Sequence, residues 1–424
     1  MTSLVVPVFL LFFAAKLSVE TVLGLLNQRH ARRATEAVPP SLAGAVDPET
    51  ARRSRAYALA RGRFALVEGV YDAALTLALL FSGLLPALER ALGRAEVAGA
   101  NRAVLFLLAL AALAGVAGLP FSLFGTFVLE ERFGFNRTTV RLWLKDRLKG
   151  LALAVALGVP LLYAAYGFFA LAGSAWWLWL FVLLTAVQLA LLWLYPALIA
   201  PLFNRFTPLS PGELKTRLEA LAKDAGFRTR GLYVMDASRR SGHSNAYFAG
   251  FVRPRIVLFD TLIAEMSVEE AAAVLAHEIG HYRARHVHKR LLVALALQLL
   301  SLWVLARLAA WPPLFAAFGL GAPSFEATVA LASLCGGAFT FFLAPLESRV
   351  SRRHEYEADR YSVRLARAPT ALKSALVKLN RQNLANLNPH PWYSAWHYSH
   401  PALAERLLAI DRTVASEGAR SGAG

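Results

Sequence analysis

Residues 176–203 read WWLWLFVLLTAVQLALLWLYPALIAPLF, a run that contains no charged side chain. About 20 predominantly apolar residues are enough for an α-helix to cross a bilayer, so this run predicts a transmembrane helix. Six further apolar blocks of similar length lie at residues 4–27, 64–88, 103–129, 151–171, 291–311 and 325–346. We therefore predict a mainly α-helical, multispanning membrane protein with about seven transmembrane helices. A signal peptide is the alternative for the first block, but Met1–Pro7 has no Lys or Arg, and the apolar run is long.

The distribution of basic residues predicts how these helices are oriented. The 424-residue chain has a formal charge of +17, although 57% of its residues are hydrophobic and only 17% are charged. Lys and Arg are concentrated in two loops and are absent from the short turns near Gly173 and Pro323. By the positive-inside rule, we expect residues 28–63, 130–150, 204–290 and 347–424 to face the cytoplasm. Membrane topology explains the charge better than nucleic-acid binding does, so we expect the lipid bilayer and no nucleic acid as partners.

Two compositional features bear on source and chemistry. Arg far outnumbers Lys and Ala is abundant, which is typical of a GC-rich bacterial genome, so we expect a bacterial inner membrane protein. The single cysteine, Cys335, lies inside an apolar block. A disulfide framework or a cysteine-based metal site within one chain is therefore excluded.

Polar regions 204–290 and 347–424 divide the chain into four parts. Residues 1–203 would hold membrane helices 1 to 5, and residues 291–346 would hold helices 6 and 7. In the first polar region we predict a helix over 211–226 and a small β-sheet from residues 231–235, 246–252 and 255–259. A capping box at Ser267–Glu270 would then begin a helix that runs through 271–288 towards the sixth span. We predict that residues 413–424 form a disordered tail.

The most specific motif is His277-Glu278-Ile279-Gly280-His281. Histidines at i and i+4 on one helix direct both imidazoles to the same point, which is the spacing of a zinc site. Glu278 lies beside the first histidine and can reach a metal-bound water, so its carboxylate is the candidate general base. The alternative is two surface histidines on an amphipathic helix. The capping box and the apolar neighbours of the motif favour the zinc site, with one Zn²⁺ per chain.

A hydrolytic zinc needs a third protein ligand and one open position. In the other polar region, Glu355 and Asp359 are also i and i+4, so one carboxylate could bind the metal while the other orients a ligand histidine. Glu357 would point elsewhere. Periodicity alone is equally compatible with an ordinary charged helix surface.

From residue 127 onward the chain resembles the type-1 CAAX prenyl proteases, which are multispanning zinc metallopeptidases of the gluzincin type. The segments that carry the resemblance are residues 127–136, 201–209, 243–248, 277–281, 351–359, 386–394 and 398–401. The first hundred residues match only in their hydrophobic layout. The resemblance implies that Glu355 is the third zinc ligand and that Asp359 orients a ligand histidine. It also implies seven helices arranged as a barrel around a large water-filled chamber, with the zinc site at its cytoplasmic end.

Three further predictions concern the surroundings of the zinc. Asn245 and Ala246 are the candidate strand edge that holds an extended substrate, although they also fit a purely structural strand and turn. His400 fits a donor to the transition-state oxyanion both chemically and by the family pattern, the alternative being a solvent-facing loop histidine. Arg406 resembles a family arginine, which implies a role in ordering the site. His286 and His288 have the wrong spacing for the same metal, so we predict polar surface there.

The sequence thus predicts a membrane-embedded zinc metalloendopeptidase that hydrolyses peptide bonds. The family removes the last three residues of prenylated CAAX sequences, so the resemblance implies a peptide or protein substrate that can carry a C-terminal prenyl group. A protease for membrane-protein quality control or peptide processing, without a prenyl requirement, is the alternative within the enzyme class. A transporter or receptor with structural zinc is the non-enzyme alternative, but Glu278 would be redundant there.

Overall fold

The computed structural model describes residues 2–33, 38–250 and 254–421. Within those ranges lie seven helices that are long and apolar enough to cross a membrane, as the sequence predicts. The first five spans and their short companions are α1 (Thr2–Arg33), α2 (Pro48–Phe81), α3 (Leu84–Arg94), α4 (Gly99–Phe124), α5 (Val140–Leu171), α6 (Trp176–Leu194) and α7 (Ala200–Phe203). Helix α4 continues as a π-helix over Gly125–Glu130, and a second π-helical turn, Tyr195–Ile199, joins α6 to α7.

A four-stranded sheet and three helices follow the fifth span. They are β1 (Phe206–Pro208), α8 (Glu213–Asp224), β2 (Leu232–Met235), β3 (Ala246–Ala249), β4 (Arg255–Phe259), α9 (Asp260–Glu265) and α10 (Val268–Arg283). The strand order is β1-β2-β4-β3, with β2 and β4 parallel and the other pairs antiparallel. The sheet is therefore small and mixed, and β3 lies at one edge. The short β1 is the one described strand that the sequence does not predict.

The remaining helices contain the last two spans and the second polar region. They are α11 (His286–Ala309), α12 (Pro312–Ala317), α13 (Phe325–Thr340), α14 (Ala344–Ala366), α15 (Pro369–Gln382), α16 (Pro391–His397) and α17 (Leu403–Ser421). A single 3₁₀ turn, Phe341–Leu343, joins α13 to α14, so the seventh span continues directly into the second polar region.

The membrane helices are joined by a cluster of aromatic and aliphatic side chains. Phe106 and Phe315 are fully buried, and the ring of Phe9 lies 5.4 Å from that of Phe13 and 6.0 Å from that of Phe318. Because lipid is as apolar as these side chains, close packing rather than exclusion of water holds such helices together. Only 6% to 17% of each apolar span is buried within the protein. Most side chains of these spans thus lie outside the buried core.

Helix α10, which carries the histidine motif, is fixed at its beginning by the predicted capping box. Ser267 Oγ accepts the backbone N–H of Glu270, while Glu270 Oε2 accepts that of Ser267. The same carboxylate also binds Ser374 and Lys378 of α15, each at 2.6 Å. Burial alone would raise the pKa of Glu270, but these hydrogen bonds and the Lys378 charge lower it to about 2. Glu270 is thus ionised near neutral pH and ties α10 to α15.

Two predictions about helix extent are wrong. The helix expected over 271–288 is broken, because α10 ends at Arg283, Arg285 has a left-handed backbone (φ 55°), and α11 begins at His286. The tail expected to be disordered from residue 413 is helical as far as Ser421, and residues 422–424 lie outside the described ranges. Within this tail, Thr413 is 8% exposed, and Arg364 of α14 pairs with Glu417 at 2.6 Å. Packing therefore orders a polar segment that composition alone assigns to solvent.

Candidate active site

Three predicted ligand side chains converge where α10 crosses α14. His277 and His281 lie one turn apart on α10, and Glu355 projects from α14. Glu355 Oε2 is 3.5 Å from His277 Nε2, and Glu355 Oε1 is 3.3 Å from His281 Nε2. One ligand atom from each residue lies within 4.8 Å of the other two. Two imidazole nitrogens and one carboxylate oxygen thus surround one point.

The chemistry of this triad fits a metal cation. Glu355 is 2% exposed, and its Oε2 atom is buried without a hydrogen-bond partner among the described residues. The Nε2 atoms of His277 and His281 approach to 3.2 Å, so their lone pairs would repel each other unless a proton or a cation lay between them. Two nitrogen donors and one carboxylate oxygen form a ligand set that zinc accepts in hydrolytic sites. One ion would therefore satisfy the unpartnered oxygen and the two facing nitrogens together.

Asp359 and Arg406 support the first histidine from behind. His277 Nδ1 donates to Asp359 Oδ1 at 2.9 Å, and Arg406 donates twice to the same carboxylate at 2.9 and 2.6 Å. Burial alone would lower the pKa of His277, but the hydrogen bond to Asp359 and the nearby Glu355 carboxylate raise it to about 9. The surroundings of this ring therefore favour a positive charge. Because Nδ1 carries the donated proton, Nε2 is free to face the ion.

The second histidine has an equivalent support that the sequence reasoning missed. His281 Nδ1 lies 2.9 Å from His286 Nδ1, and His286 Nε2 lies 3.0 Å from Glu357 Oε2. Since a carboxylate can only accept, His286 donates through Nε2 and accepts the Nδ1–H of His281. His281 Nε2 is thereby left unprotonated on the side of Glu355. His354 stacks on the ring of His286 with centroids 3.8 Å apart.

The prediction that His286 belongs to a polar surface is wrong, because its side chain is only 2% exposed. In a continuous helix, a residue five positions after His281 would point away from it. The left-handed turn at Arg285 reverses that direction and brings His286 back to the site. No Gly or Pro marks this break, so the sequence has no local signal for it.

Glu278 and His400 complete the polar side of a cavity of about 920 Å³ next to the triad. Burial raises the pKa of Glu278 above that of an ordinary carboxyl, an effect partly opposed by His277 and His281. A raised carboxyl pKa suits a group that must take up and release protons near neutral pH. His400 Nε2 lies 3.4 Å from Glu355 Oε1, and its side chain is 63% exposed towards the cavity. His400 thus lies beside the triad, and its role as a donor to the oxyanion stays a prediction.

Strand β3, which begins at Ala246, and the preceding residue Asn245 form another wall of the same cavity. The β3–β4 register places Ala246 opposite Leu258, and the carbonyl of Asn245 accepts the N–H of Phe259. In an antiparallel pair of this register, the backbone groups of Ala246 and Phe248 point away from β4. Asn245 Oδ1 accepts the N–H of Ala246 at 2.8 Å, which leaves the Ala246 carbonyl directed outward. The structure thus brings all nine predicted site residues to one place, seven on the cavity side and Asp359 and Arg406 behind.

Comparison with known proteins agrees with this geometry. Residues 27–205 match the family described as "CAAX prenyl protease N-terminal, five membrane helices", and residues 208–414 match "Peptidase family M48". The CAAX prenyl protease 1 of Saccharomyces cerevisiae is 36% identical over 430 residues, which cover 94% of each chain. The chain belongs to the M48 family of CAAX prenyl proteases. The human homologue of that protease is 34% identical, over 91% of this chain and 90% of the human one.

The crystal structure of Saccharomyces mikatae Ste24p extends the M48 likeness to the whole fold. It matches with a TM-score of 0.87 and 35% identity, and covers 95% of this chain and 97% of Ste24p. The predicted family and the predicted membrane fold are both confirmed. The chain is therefore a multi-pass membrane metalloprotease.

One glycine sets the spacing of the two halves of this M48 site. A Cβ atom placed on Gly280 would lie 2.9 Å from Ala358 Cα and 3.1 Å from the Ala358 carbonyl oxygen. These are backbone atoms of α14, so they cannot rotate aside as a side chain can. Two turns before Gly280 on α10, the carbonyl of Ala273 accepts the hydroxyl of Ser362 at 2.8 Å. Gly280 therefore allows α10 and α14 to approach closely enough for Glu355 to reach both histidines.

Proposed function

We propose that this chain is a zinc endopeptidase that removes C-terminal peptides from prenylated CAAX proteins. The observation that carries the proposal is the convergence of His277, His281 and Glu355 beside Glu278, in a cavity walled by an edge strand. One zinc ion per chain would be held by the two histidines and Glu355. Asp359 and Arg406 would keep His277 in the tautomer that binds metal.

The remaining chemistry belongs to side chains of the cavity. Zinc, when bound, makes water acidic enough to act as a nucleophile near neutral pH and polarises the scissile carbonyl. Glu278 would take a proton from the attacking water and deliver it to the leaving amine, for which its raised pKa is suited. Ser399 Oγ lies 2.9 Å from His400 Nδ1. If Ser399 donates this bond, the His400 proton lies on Nε2, where it would bind the developing oxyanion.

We propose that the substrate peptide pairs with β3 as an added strand. The outward carbonyl of Ala246 and the outward backbone groups of Phe248 would bind peptide groups of the substrate. Asn245 would hold the N–H of Ala246 and so keep the first outward carbonyl in place. Strand addition is tolerant of side-chain sequence, because backbone groups make the hydrogen bonds.

The apolar wall of the cavity supports a lipid-linked substrate. Part of the cavity is lined by apolar side chains of α6, its π-helical continuation and α11, among them Leu191, Leu192, Pro196, Leu291 and Ala294. An isoprenoid chain attached near the cleaved bond would bury apolar surface there at a gain of roughly 25 cal/mol per Å². A peptide without lipid would lack this contribution.

Matched peptides test the substrate class. We expect purified protein to cleave a farnesylated CAAX peptide before its last three residues, and to cleave the same peptide without lipid at least about tenfold less efficiently. The difference corresponds to only about 1.4 kcal/mol, less than the burial of two methylene groups. Mass spectrometry locates the cut, and a chelator control tests metal dependence. Equal cleavage of both peptides would instead support peptide processing or quality control without a prenyl requirement.

We further propose that residues 28–63, 130–150, 204–290 and 347–424 face the cytoplasm of a bacterial inner membrane, with the four-part division of the chain described above. Cysteine labelling in intact cells tests this orientation in a Cys335→Ala background. Arg53→Cys is expected to resist a membrane-impermeant maleimide, whereas Gly321→Cys at the opposite end should react, since both positions are exposed. The reverse pattern would overturn the orientation.

A further inference from the structure

Two of the segments that carry the family resemblance contact each other outside the metal triad. They are residues 127–136 and 243–248. Glu130 ends the π-helical continuation of the third span, and its Oε2 lies 3.3 Å from His243 Nε2. The other oxygen of Glu130 accepts the hydroxyl of Tyr57, in α2, at 2.7 Å. The ring of Phe135 stacks on His243 with centroids 4.0 Å apart. Two membrane helices are thus connected to the chain just before β3.

Asn383, at the end of α15, holds the same stretch of chain from the other side. Its Oδ1 accepts the backbone N–H of Ser244 at 3.2 Å, and its Nδ2 donates to the Ser244 carbonyl at 3.3 Å. The Oδ1 atom also accepts His243 Nδ1–H at 3.0 Å. One amide side chain therefore pairs both backbone groups of Ser244, as a neighbouring strand would.

The backbone beside Asn383 is held in an uncommon conformation. Leu384 has a positive φ of 44°, which costs free energy in a residue other than glycine. Its side chain is 4% exposed and belongs to an apolar cluster with Tyr57 and Phe135. Burial in this cluster offsets the strain and keeps Asn383 in place, so apolar and polar contacts hold the same group of residues.

The network acts at the beginning of the edge strand. Thr261 Oγ1 donates to the carbonyl of His243 at 3.0 Å, and the carbonyl of Asn245 accepts the N–H of Phe259 at 3.1 Å. Together with the Asn383 contacts, these bonds fix the backbone of three consecutive residues, 243–245. The next residue is Ala246, the first with a carbonyl on the free edge of β3. A displacement at Ser244 would therefore be transmitted to the position at which a peptide is held.

We propose that Tyr57, Glu130, His243 and Asn383 are positioning residues that set the register of the substrate along β3 relative to Glu278. The inference rests on the proposed function, because it requires a peptide bound at the β3 edge. None of these four residues contacts the metal triad. Their effect on cleavage would come from placing the scissile bond, since a misplacement of about 1 Å in a reacting group can cost on the order of 100-fold in rate.

Two substitutions that remove different numbers of hydrogen bonds, together with one matched control, test the proposal. Asn383→Leu removes three hydrogen bonds with little change of volume, and Tyr57→Phe removes one hydroxyl at the far end. Tyr71→Phe is the control, since this tyrosine lies on the same helix and donates to the Ala117 carbonyl instead. Each variant is assayed for kcat and KM on the farnesylated peptide, for the position of the cut, and for bound zinc.

We expect Asn383→Leu to lower kcat/KM by about 10- to 100-fold and to yield products cut at neighbouring bonds, with bound zinc unchanged. Tyr57→Phe should lower kcat/KM by about three- to tenfold, the usual effect of one lost hydrogen bond, and Tyr71→Phe should not change it. Native kcat/KM and a single cut site in both test variants would overturn the proposal. So would loss of zinc, which would assign the network to the metal site.

If Asn383→Leu does not fold, Tyr57→Phe compared with Tyr71→Phe decides the question alone. Equal kcat/KM in these two variants would contradict the proposal, and a lower value in Tyr57→Phe only would support it. A native protein that binds zinc but cleaves neither lipidated nor free peptide would refute the proposed function itself. That outcome is distinct, because it appears before any variant is made.

Discussion

Glu278→Gln is expected to lower peptide cleavage by about 10²- to 10⁴-fold, the range associated with loss of a positioned general base. The amide has nearly the same shape as the carboxylate but cannot take up the proton. Bound zinc should remain at the native level, because His277, His281 and Glu355 are untouched. Peptide cleavage by mass spectrometry and zinc per chain by elemental analysis are the two measurements.

Glu269→Gln is the matched control for this experiment. Glu269 precedes the motif on the same helix, is 52% exposed and pairs with Arg217 at 2.8 Å, away from the cavity. We expect native activity from it. A Glu278→Gln protein that retains zinc and cleaves peptides at the native rate would contradict the assigned role of the carboxylate.

Glu355→Gln is expected to weaken zinc binding by more than about 100-fold. Loss of a residue that only hydrogen-bonds to a metal ligand usually weakens binding by about 10- to 100-fold, and Glu355 would be a ligand itself. The substitution removes the anionic member of the triad and leaves a neutral amide beside two imidazoles. Competition with a chelator gives the affinity. Thermal unfolding gives a second measurement, because a ligand at 1,000 times its Kd stabilises the native state by about 4 kcal/mol.

The control for Glu355→Gln is Glu347→Gln, an exposed carboxylate near the beginning of the same helix. It should keep the native zinc affinity and the native zinc-induced rise in melting temperature. Unchanged affinity in Glu355→Gln would exclude this residue as a metal ligand.

Parts of the fold and site that depend on local pattern could be predicted from sequence. The seven spans follow from the length of apolar runs, and the convergence of His277 and His281 follows from helical spacing alone. Glu355 is different, because its distance from the histidines is set by the crossing of α10 and α14. Periodicity places Glu355 and Asp359 on one face of a helix but does not show what that face contacts. Only the family resemblance implies that Glu355 binds the metal.

What sequence reasoning missed depends on chain reversals and on long-range contacts. His286 reaches His281 only because Arg285 adopts a left-handed backbone conformation. This position is not a glycine, so the sequence does not indicate the turn. Asn383 and Ser244 are separated by 139 residues, and nothing in either segment identifies the other as its partner. The helix after residue 413 is held by contacts with α14 such as the Arg364–Glu417 ion pair, which composition does not reveal.

The two halves of the metal triad belong to helices that continue into the membrane. His281 lies near the end of α10, which leads into the sixth span, and Glu355 lies on the continuation of the seventh. An ion bound to both would join residues 281 and 355 in the native state, and its binding free energy would stabilise that state. The chain between these two residues contains the last two spans entirely. We therefore expect chelation to lower the thermal stability of α11 and α13 as well as that of the site. The ion would then stabilise the membrane region in addition to its chemical role.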